Sequence, residues 1–338
     1  MKKFLFFAAS AIALFASCQK TEVNYEGNPQ EISFFAVNQT ATKAPVEGNA
    51  FPVDYNMQVA AYLAAGDGVA VGGANYFDGV TFAHGGTYWA GGKYWPVSAA
   101  TLNFLAVAPQ VNSVVTTEFD GTTVVSESTT TVAGNSTAAT QYDVMYAVAR
   151  KEKTAGSAPG AVDAVFKHAY SWLDFKFKVS NTETGAPTIK INSVTVYDVA
   201  TDGTLTVAVT NATSSTVEMT ATPSWSATGV STGIAVPEKT ATGVLTKTDN
   251  LTNTLTEYYK GLLLVPEKPM SKFVIDYTTT LGGDVHNFTY TYTPATALTW
   301  DAGKKYTYEI TMTLSQIEVT PSVTDWDVTT PATPVPLG

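Results

Sequence analysis

Cys18 is the sole thiol in a chain of 338 residues. No internal disulfide can form, and any chemistry at sulfur is that of one nucleophile. The three histidines, His84, His168 and His286, stand far apart, with no His-Glu-x-x-His run and no second cysteine to complete a zinc ligand set. They read as structural histidines. Gly66-Asp67-Gly68 with Gly72 misses the spacing of a phosphate-binding loop, and no helical pattern follows it. Asp198 and Asp202-Gly203 look like part of a calcium loop, but Ala200 occupies the intermediate ligand position and no Glu closes the loop. No Gly-x-Ser-x-Gly elbow occurs, and no local pattern joins a Ser, a His and an Asp into a triad. These residues predict no catalytic site, no metal and no cofactor. Tyr88, Trp89, Tyr94 and Trp95 cluster among glycines. Such rings stack on sugars or pack a core beneath a turn, and packing is the expected role.

Cys18 gains meaning from what precedes it. Lys2 and Lys3 form a basic start, and residues 4–15 form an apolar run. The run is shorter than the roughly 20 residues that span a bilayer and suits the hydrophobic part of an export signal. Leu14-Phe15-Ala16-Ser17-Cys18 resembles a bacterial lipobox, with Phe15 where Leu is usual. The expectation is cleavage before Cys18 and acylation of its thiol, with palmitate-type chains. Each buried methylene adds about 0.8 kcal/mol of membrane affinity, so two or three chains anchor a protein stably. Loss of Lys2 and Lys3 takes the net charge from −10 to −12.

The elements behind this anchor read as β. Charged residues make up 14% of the chain, against about 25% in an average globular protein, and Thr, Val, Tyr and Ala are abundant instead. Thr, Val and Tyr favour half-buried strands. An aromatic content of 12% argues against disorder. Arg150 is the only arginine and the net charge is −10, so no basic stripe exists for nucleic acid.

Residues 1–17 are the expected signal peptide and 18–30 a polar, lipidated tether. Residues 31–37, Glu-Ile-Ser-Phe-Phe-Ala-Val, form the first strand candidate. Short apolar runs cut by Gly, Asn and Asp then continue to Val148, predicting an N-terminal β domain over 31–150. Residues 151–161 combine charge, small residues, Gly and Pro and predict a linker. A C-terminal β domain over 162–338 follows. Apolar and charged residues alternate strictly from Leu173 to Val179, which places them on opposite faces. Residues 288–292 and 306–314 alternate likewise. The best helical spacing covers 162–170 and is short. The tail, 329–338, holds three prolines and predicts no stable structure of its own.

Taken in order, several of these segments resemble the fimbrillin family of Bacteroidales, the subunits of lipoprotein-derived (type V) pili. The residues that carry the resemblance are Cys18, Glu31-Ile32-Ser33-Phe34, Thr42-Lys43-Ala44, Tyr76-Phe77, Tyr94-Trp95-Pro96 and Leu102-Asn103-Phe104-Leu105-Ala106. They continue with Phe166-Lys167-His168-Ala169, Leu263-Leu264-Val265-Pro266, residues 300–308 and Val323-Thr324-Asp325-Trp326. The resemblance implies an all-β chain of two transthyretin-like β-sandwich domains behind a lipoprotein signal. It also implies proteolytic processing after a basic residue, here between Lys43 and Ala44. The first strand is then lost, and Ile32 and Phe34 mark the groove it vacates. A neighbouring subunit refills that groove with a strand of its own. The donor segment expected here ends in Val335 and Leu337, since prolines 331, 334 and 336 disfavour a central strand in the chain's own sheet. Trp326 reads as a core residue of its own domain.

The functional expectation is a non-enzymatic structural subunit of a surface fimbria with a role in adhesion. Its partners are other fimbrial subunits by donor-strand exchange, the outer-membrane lipid through Cys18, and a host or bacterial surface ligand. The expected location is the cell surface, as an outer-membrane lipoprotein or within the fimbrium. Stalk, tip and anchor positions all stay open. The alternative is a surface glycan-binding lipoprotein of a polysaccharide-uptake system, which would share the signal, the β architecture and the aromatic cluster.

Overall fold

The structure, a computed structural model, describes residues 30–36, 51–64, 75–98, 100–110, 117–119, 123–126, 143–180, 185–211, 214–230, 232–236, 244–266, 270–295, 300–313 and 315–326. All regular secondary structure among the described residues is β.

The first body is one sheet built from β1 (Glu31–Ala36), β2 (Met57–Leu63), β3 (Asn75–His84), β4 (Trp89–Tyr94), β5 (Ala100–Ala108), β8 (Met145–Lys153), β9 (Val162–Ala164) and β10 (Lys167–His168). The two strands between β5 and β8, β6 (Thr117–Phe119) and β7 (Thr123–Ser126), belong elsewhere. The sheet order is β10-β8-β5-β2-β3-β4-β1-β9. Only residues 165–166 separate its two end strands in sequence, so the sheet curls until it nearly closes. The period-2 alternation of β2, β5 and β8 divides their apolar residues between two cores. Met57, Val59, Ala61, Leu102, Phe104, Ala106, Met145 and Ala147 point into the curl. Ala60, Tyr62, Leu105, Val107 and Tyr146 point out of it, into the core of the second half. Every residue of β5 is therefore buried, and its sequence is almost continuously apolar as a strand covered on both faces requires.

The second half contains β11 (Ser171–Val179), β12 (Thr188–Tyr197), β13 (Ala200–Thr210), β14 (Thr220–Val230), β15 (Ile234–Ala235), β16 (Thr256–Leu264), β17 (Lys272–Leu281), β18 (Asp284–Tyr292), β19 (Lys304–Met312) and β20 (Ile317–Asp325). A sheet of order β16-β11-β19-β20 packs on one of order β15-β12-β17-β18. Phe175, Phe273 and Tyr308 meet between them, with Phe273 edge-on to both other rings at 5.3 Å. Leu173, Phe175, Phe177 and Val179 are buried and Lys176 and Lys178 are not, as the alternation requires. Asp174 departs from the pattern. It is fully buried, accepts hydrogen bonds from the Gly261 amide (2.7 Å) and the Trp172 indole, and pairs with the Lys305 ammonium at 3.1 Å. Those partners offset the desolvation of a carboxylate inside a sandwich.

A third sheet, β14-β13-β7-β6, lies against the outward face of β5 and β8. The only arginine holds it there. Arg150 donates through Nε to Asn103 Oδ1 (2.8 Å) and through Nη2 to the carbonyls of Ser214 (2.8 Å) and Val217. Asn103, fully buried, donates to the same Ser214 carbonyl at 2.9 Å. Arg150→Ala is expected to lower the unfolding free energy by about 1.5–3 kcal/mol, the worth of hydrogen bonds to a charged donor. Urea unfolding measures the loss, and amide exchange should rise in residues 214–219.

Pairing revises the expected layout. Lys151 to Lys153, assigned to a linker, complete β8 and pair with Leu102, Thr101 and Ala100 of β5. Residues 162–168, assigned to the C-terminal domain, return to the first sheet as β9 and β10. The short helical spacing there is thus two short strands. In the other direction β7, from the N-terminal half, pairs with β13. The passage from the first body to the second falls at Ala169 and Tyr170, and the shared core means that neither half buries its apolar surface alone.

Candidate functional site

Among the described residues the three histidines stay apart from one another. They lie on different strands, each near an aromatic ring: His84 by Trp89 (4.5 Å), His168 on Trp326 (3.6 Å) and His286 by Phe288 (6.5 Å). His168 Nδ1 also lies 2.8 Å from Asp143 Oδ2, both side chains buried. Among the described residues no group of three or more His, Cys, Asp or Glu side chains could hold a metal ion. The aromatic cluster divides by strand alternation: Trp89 and Trp95 are core, whereas Tyr88 and Tyr94 are exposed at 45% and 46%.

The feature with functional geometry is the seat of β1. This strand lies between two others. It is antiparallel to β4, with Ser33 opposite Ala90 and Phe34 opposite Trp89, and parallel to β9, with Phe34 opposite Val162 and Ala36 opposite Ala164. Ile32 and Phe34 are fully buried and Ala36 nearly so, while Ser33 and Phe35 face outward. The Phe34 ring stands edge-on to Phe82 (5.1 Å) and Phe104 (5.2 Å), which form the floor of the seat. At its upstream end the Trp95 amide donates to the Gln30 carbonyl and the Gly92 amide to the Glu31 carboxylate, both at 2.9 Å. Two glycines shape the β4 wall. A side chain at Gly91 would come within 2.8 Å of Phe82, and Gly92 has φ +65°, a conformation that favours glycine.

Taking β1 away would leave β4 and β9 with unpaired backbone edges and expose Phe82 and Phe104. That is an edge and an apolar groove together, a template for an added strand. Ile32 and Phe34 contribute about 1.5–3 kcal/mol each by burial. The chain takes hold again well beyond Lys43. Phe51 is buried, 5.2 Å from Trp89 and 4.2 Å from Phe166, and the Trp89 indole donates to the Tyr55 carbonyl at 2.8 Å. A cut between residues 43 and 44 therefore leaves the remainder of the body anchored.

Of the residues singled out in the sequence, the structure places Ile32 and Phe34 side by side on the inward face of β1. Cys18, Lys43, Ala44, Val335 and Leu337 lie outside the described residues. The sequence reading missed the far wall, Val162 and Ala164. Their only local signal is the three-residue alternation Val162-Asp163-Ala164, too short to mark a strand. The floor residues Phe82 and Phe104 carried no mark beyond being apolar.

A family model described as fimbrillin-like matches residues 42–326. No curated protein matches the chain. Similar solved structures include a fimbrial protein from Bacteroides vulgatus ATCC 8482, 16% identical over 80% of this chain and 92% of that one, with a TM-score of 0.55. Another is a candidate cell adhesion protein from Bacteroides ovatus ATCC 8483, 15% identical over 89% of this chain and 99% of that one, with a TM-score of 0.50. At such identities the two structures speak to the fold alone. The family model covers most of the sequence, from just past β1 to the end of β20 and Trp326, and by that match the chain belongs to the fimbrillin-like family.

Proposed function

We propose that this chain, a fimbrial structural protein and not an enzyme by its family, joins its neighbours by exchanging the strand in the β1 seat. The observation that carries the reading is β1 itself. A strand near the start of the chain is clamped between two others and fills an apolar groove, yet the polypeptide re-enters the core independently at Phe51. The family match also begins beyond β1, at residue 42. In this reading the precursor is anchored at the outer membrane by lipid on Cys18. Cleavage between Lys43 and Ala44 frees β1, and a neighbour's tail, ending in Val335 and Leu337, enters with its side chains in the places of Ile32 and Phe34.

Two measurements test the steps. N-terminal sequencing of protein extracted from surface fibres should begin at Ala44. A start at lipidated Cys18 in assembled fibres would overturn the cleavage. Cys18→Ala should move the protein from the membrane fraction to the soluble one, and intact-mass analysis should find wild-type Cys18 acylated with the signal gone. An unmodified cysteine would refute the anchor.

The glycan-binding alternative now rests on Tyr88 and Tyr94, because the two tryptophans are in the core. Polymerisation separates the readings. A fimbrial subunit makes ladders with itself, whereas a glycan binder stays monomeric and is retained by polysaccharide.

A further inference from the structure

Both walls of the β1 seat lead to His168. On one side, β9 pairs with β1 and, among the described strands, with no other. It is three residues long, too short to persist as a strand without a partner. Only Val165 and Phe166 separate it from β10, which carries His168. On the other side, Trp89 stands opposite Phe34, and its indole donates to the Tyr55 carbonyl at 2.8 Å. The Tyr55 hydroxyl accepts from the Asp143 amide at 3.3 Å, and the Asp143 carboxylate lies 2.8 Å from His168 Nδ1. Trp89, Tyr55, Asp143 and His168 are all buried. One route is the chain itself, and the other is a run of hydrogen bonds through the interior.

From the first body, His168 also holds Trp326. The two rings stack at 3.6 Å and lie 9° from parallel. The second half adds Trp172, edge-on at 4.9 Å, and the Gly303 carbonyl, which accepts from the Trp326 amide at 2.9 Å. Trp326 is thus buried where the two bodies meet, and the chain runs on from it into residues 327–338.

We infer that occupancy of the β1 seat and the seating of Trp326 are energetically coupled through His168: emptying the seat loosens His168 and with it the Trp326 ring, and filling the seat fixes both. The physical basis is a loss of partners. Without β1, β9 loses its ladder and Trp89 loses the strand opposite it. His168 then depends on the two-residue pairing of β10 with β8 and on Asp143. Such coupling is reciprocal, so whatever holds Trp326 steadies β1 by the same free energy. Its use rests on the strand-exchange reading above. There the seat receives one neighbour's strand and the segment beyond Trp326 goes to the next neighbour. A subunit then presents its tail from a fixed root only once its own seat is filled, and growth is ordered.

The test uses the full, unprocessed chain and amide hydrogen exchange, with β17 in the second half as the reference for global unfolding. Phe34→Ala should speed exchange of the Trp326 amide about fivefold beyond any change in β17. Trp326→Ala should speed exchange of residues 31–36 by a similar factor. The two substitutions together should shift the unfolding equilibrium in urea about fivefold less than the product of their separate effects, whereas uncoupled sites add. Additivity, or a Trp326 amide that follows β17, would overturn the inference. If Phe34→Ala does not fold, Phe34→Leu gives the same readouts at smaller amplitude. His168→Ala should cut the connection, so that Phe34→Ala no longer reaches Trp326; an effect that persists would overturn the route through His168. The two readings fail separately. Additive substitutions, in a chain whose fibres are indifferent to Phe34→Ala, would sink the coupling and leave strand exchange standing. Coupled substitutions, with fibres as sensitive to Phe34→Ala as the precursor, would do the reverse.

Discussion

Phe34→Ala is expected to destabilise the unprocessed chain by about 3–5 kcal/mol, the cost of emptying a packed aromatic site. The side chain is fully buried and meets Phe82 and Phe104 edge-on, so truncation removes two ring contacts and leaves a cavity between a strand and the floor beneath it. Domains of ordinary stability hold 5–15 kcal/mol in all, so the loss should be visible in expression as well as in urea unfolding. If a neighbour's strand replaces β1, the same substitution should leave the assembled fibre at wild-type stability, because residue 34 is no longer part of it. Equal destabilisation of precursor and fibre would show that β1 stays in place after assembly. Ile32→Ala should behave in the same way, at about 2–5 kcal/mol.

Deleting residues 329–338 should abolish ladders while yielding a folded, exported monomer. The deletion stops short of every described contact. Trp326, the last described residue, keeps its stack on His168 and its bond to Gly303, and β20 keeps its full register with β19. What is lost is the segment whose Val335 and Leu337 repeat the two-residue spacing of Ile32 and Phe34. A strand in the seat must set alternate side chains into those two pockets, at about 1.5–3 kcal/mol each. Val335→Asp with Leu337→Asp should therefore reproduce the deletion. Size-exclusion chromatography and gel ladders of surface extracts read the outcome. Ladders of wild-type length from the truncated chain would move the donor elsewhere in the sequence.

Much of the site was legible in the sequence because period-2 alternation reports which face of a strand is buried. Glu31-Ile32-Ser33-Phe34 already places Ile32 and Phe34 together on one face, and both prove fully buried. The same logic held for residues 173–179, and Trp326 is the core residue its context suggested. The abundance of Thr, Val and Tyr with no sustained helical period was enough for the all-β class. Alternation is silent about partners. That β1 lies between β4 and β9, that β9 and β10 return to the first sheet after the 151–161 segment, and that β7 crosses to β13 are all pairings between distant segments. Strands as short as β9 and β10 have no propensity strong enough to declare themselves; they exist because the edges of β1 and β8 are there to hold them. Asp174 shows the same limit from the other side. Its place in an alternating strand predicts solvent, and only the fold brings the Gly261 amide, the Trp172 indole and Lys305 around it. The sequence by itself determined the strands and their buried faces, since these depend on local period and polarity. The tertiary structure decided the neighbours of each strand, and with them the seat of β1, because backbone pairing is made between segments whose side chains carry no record of each other.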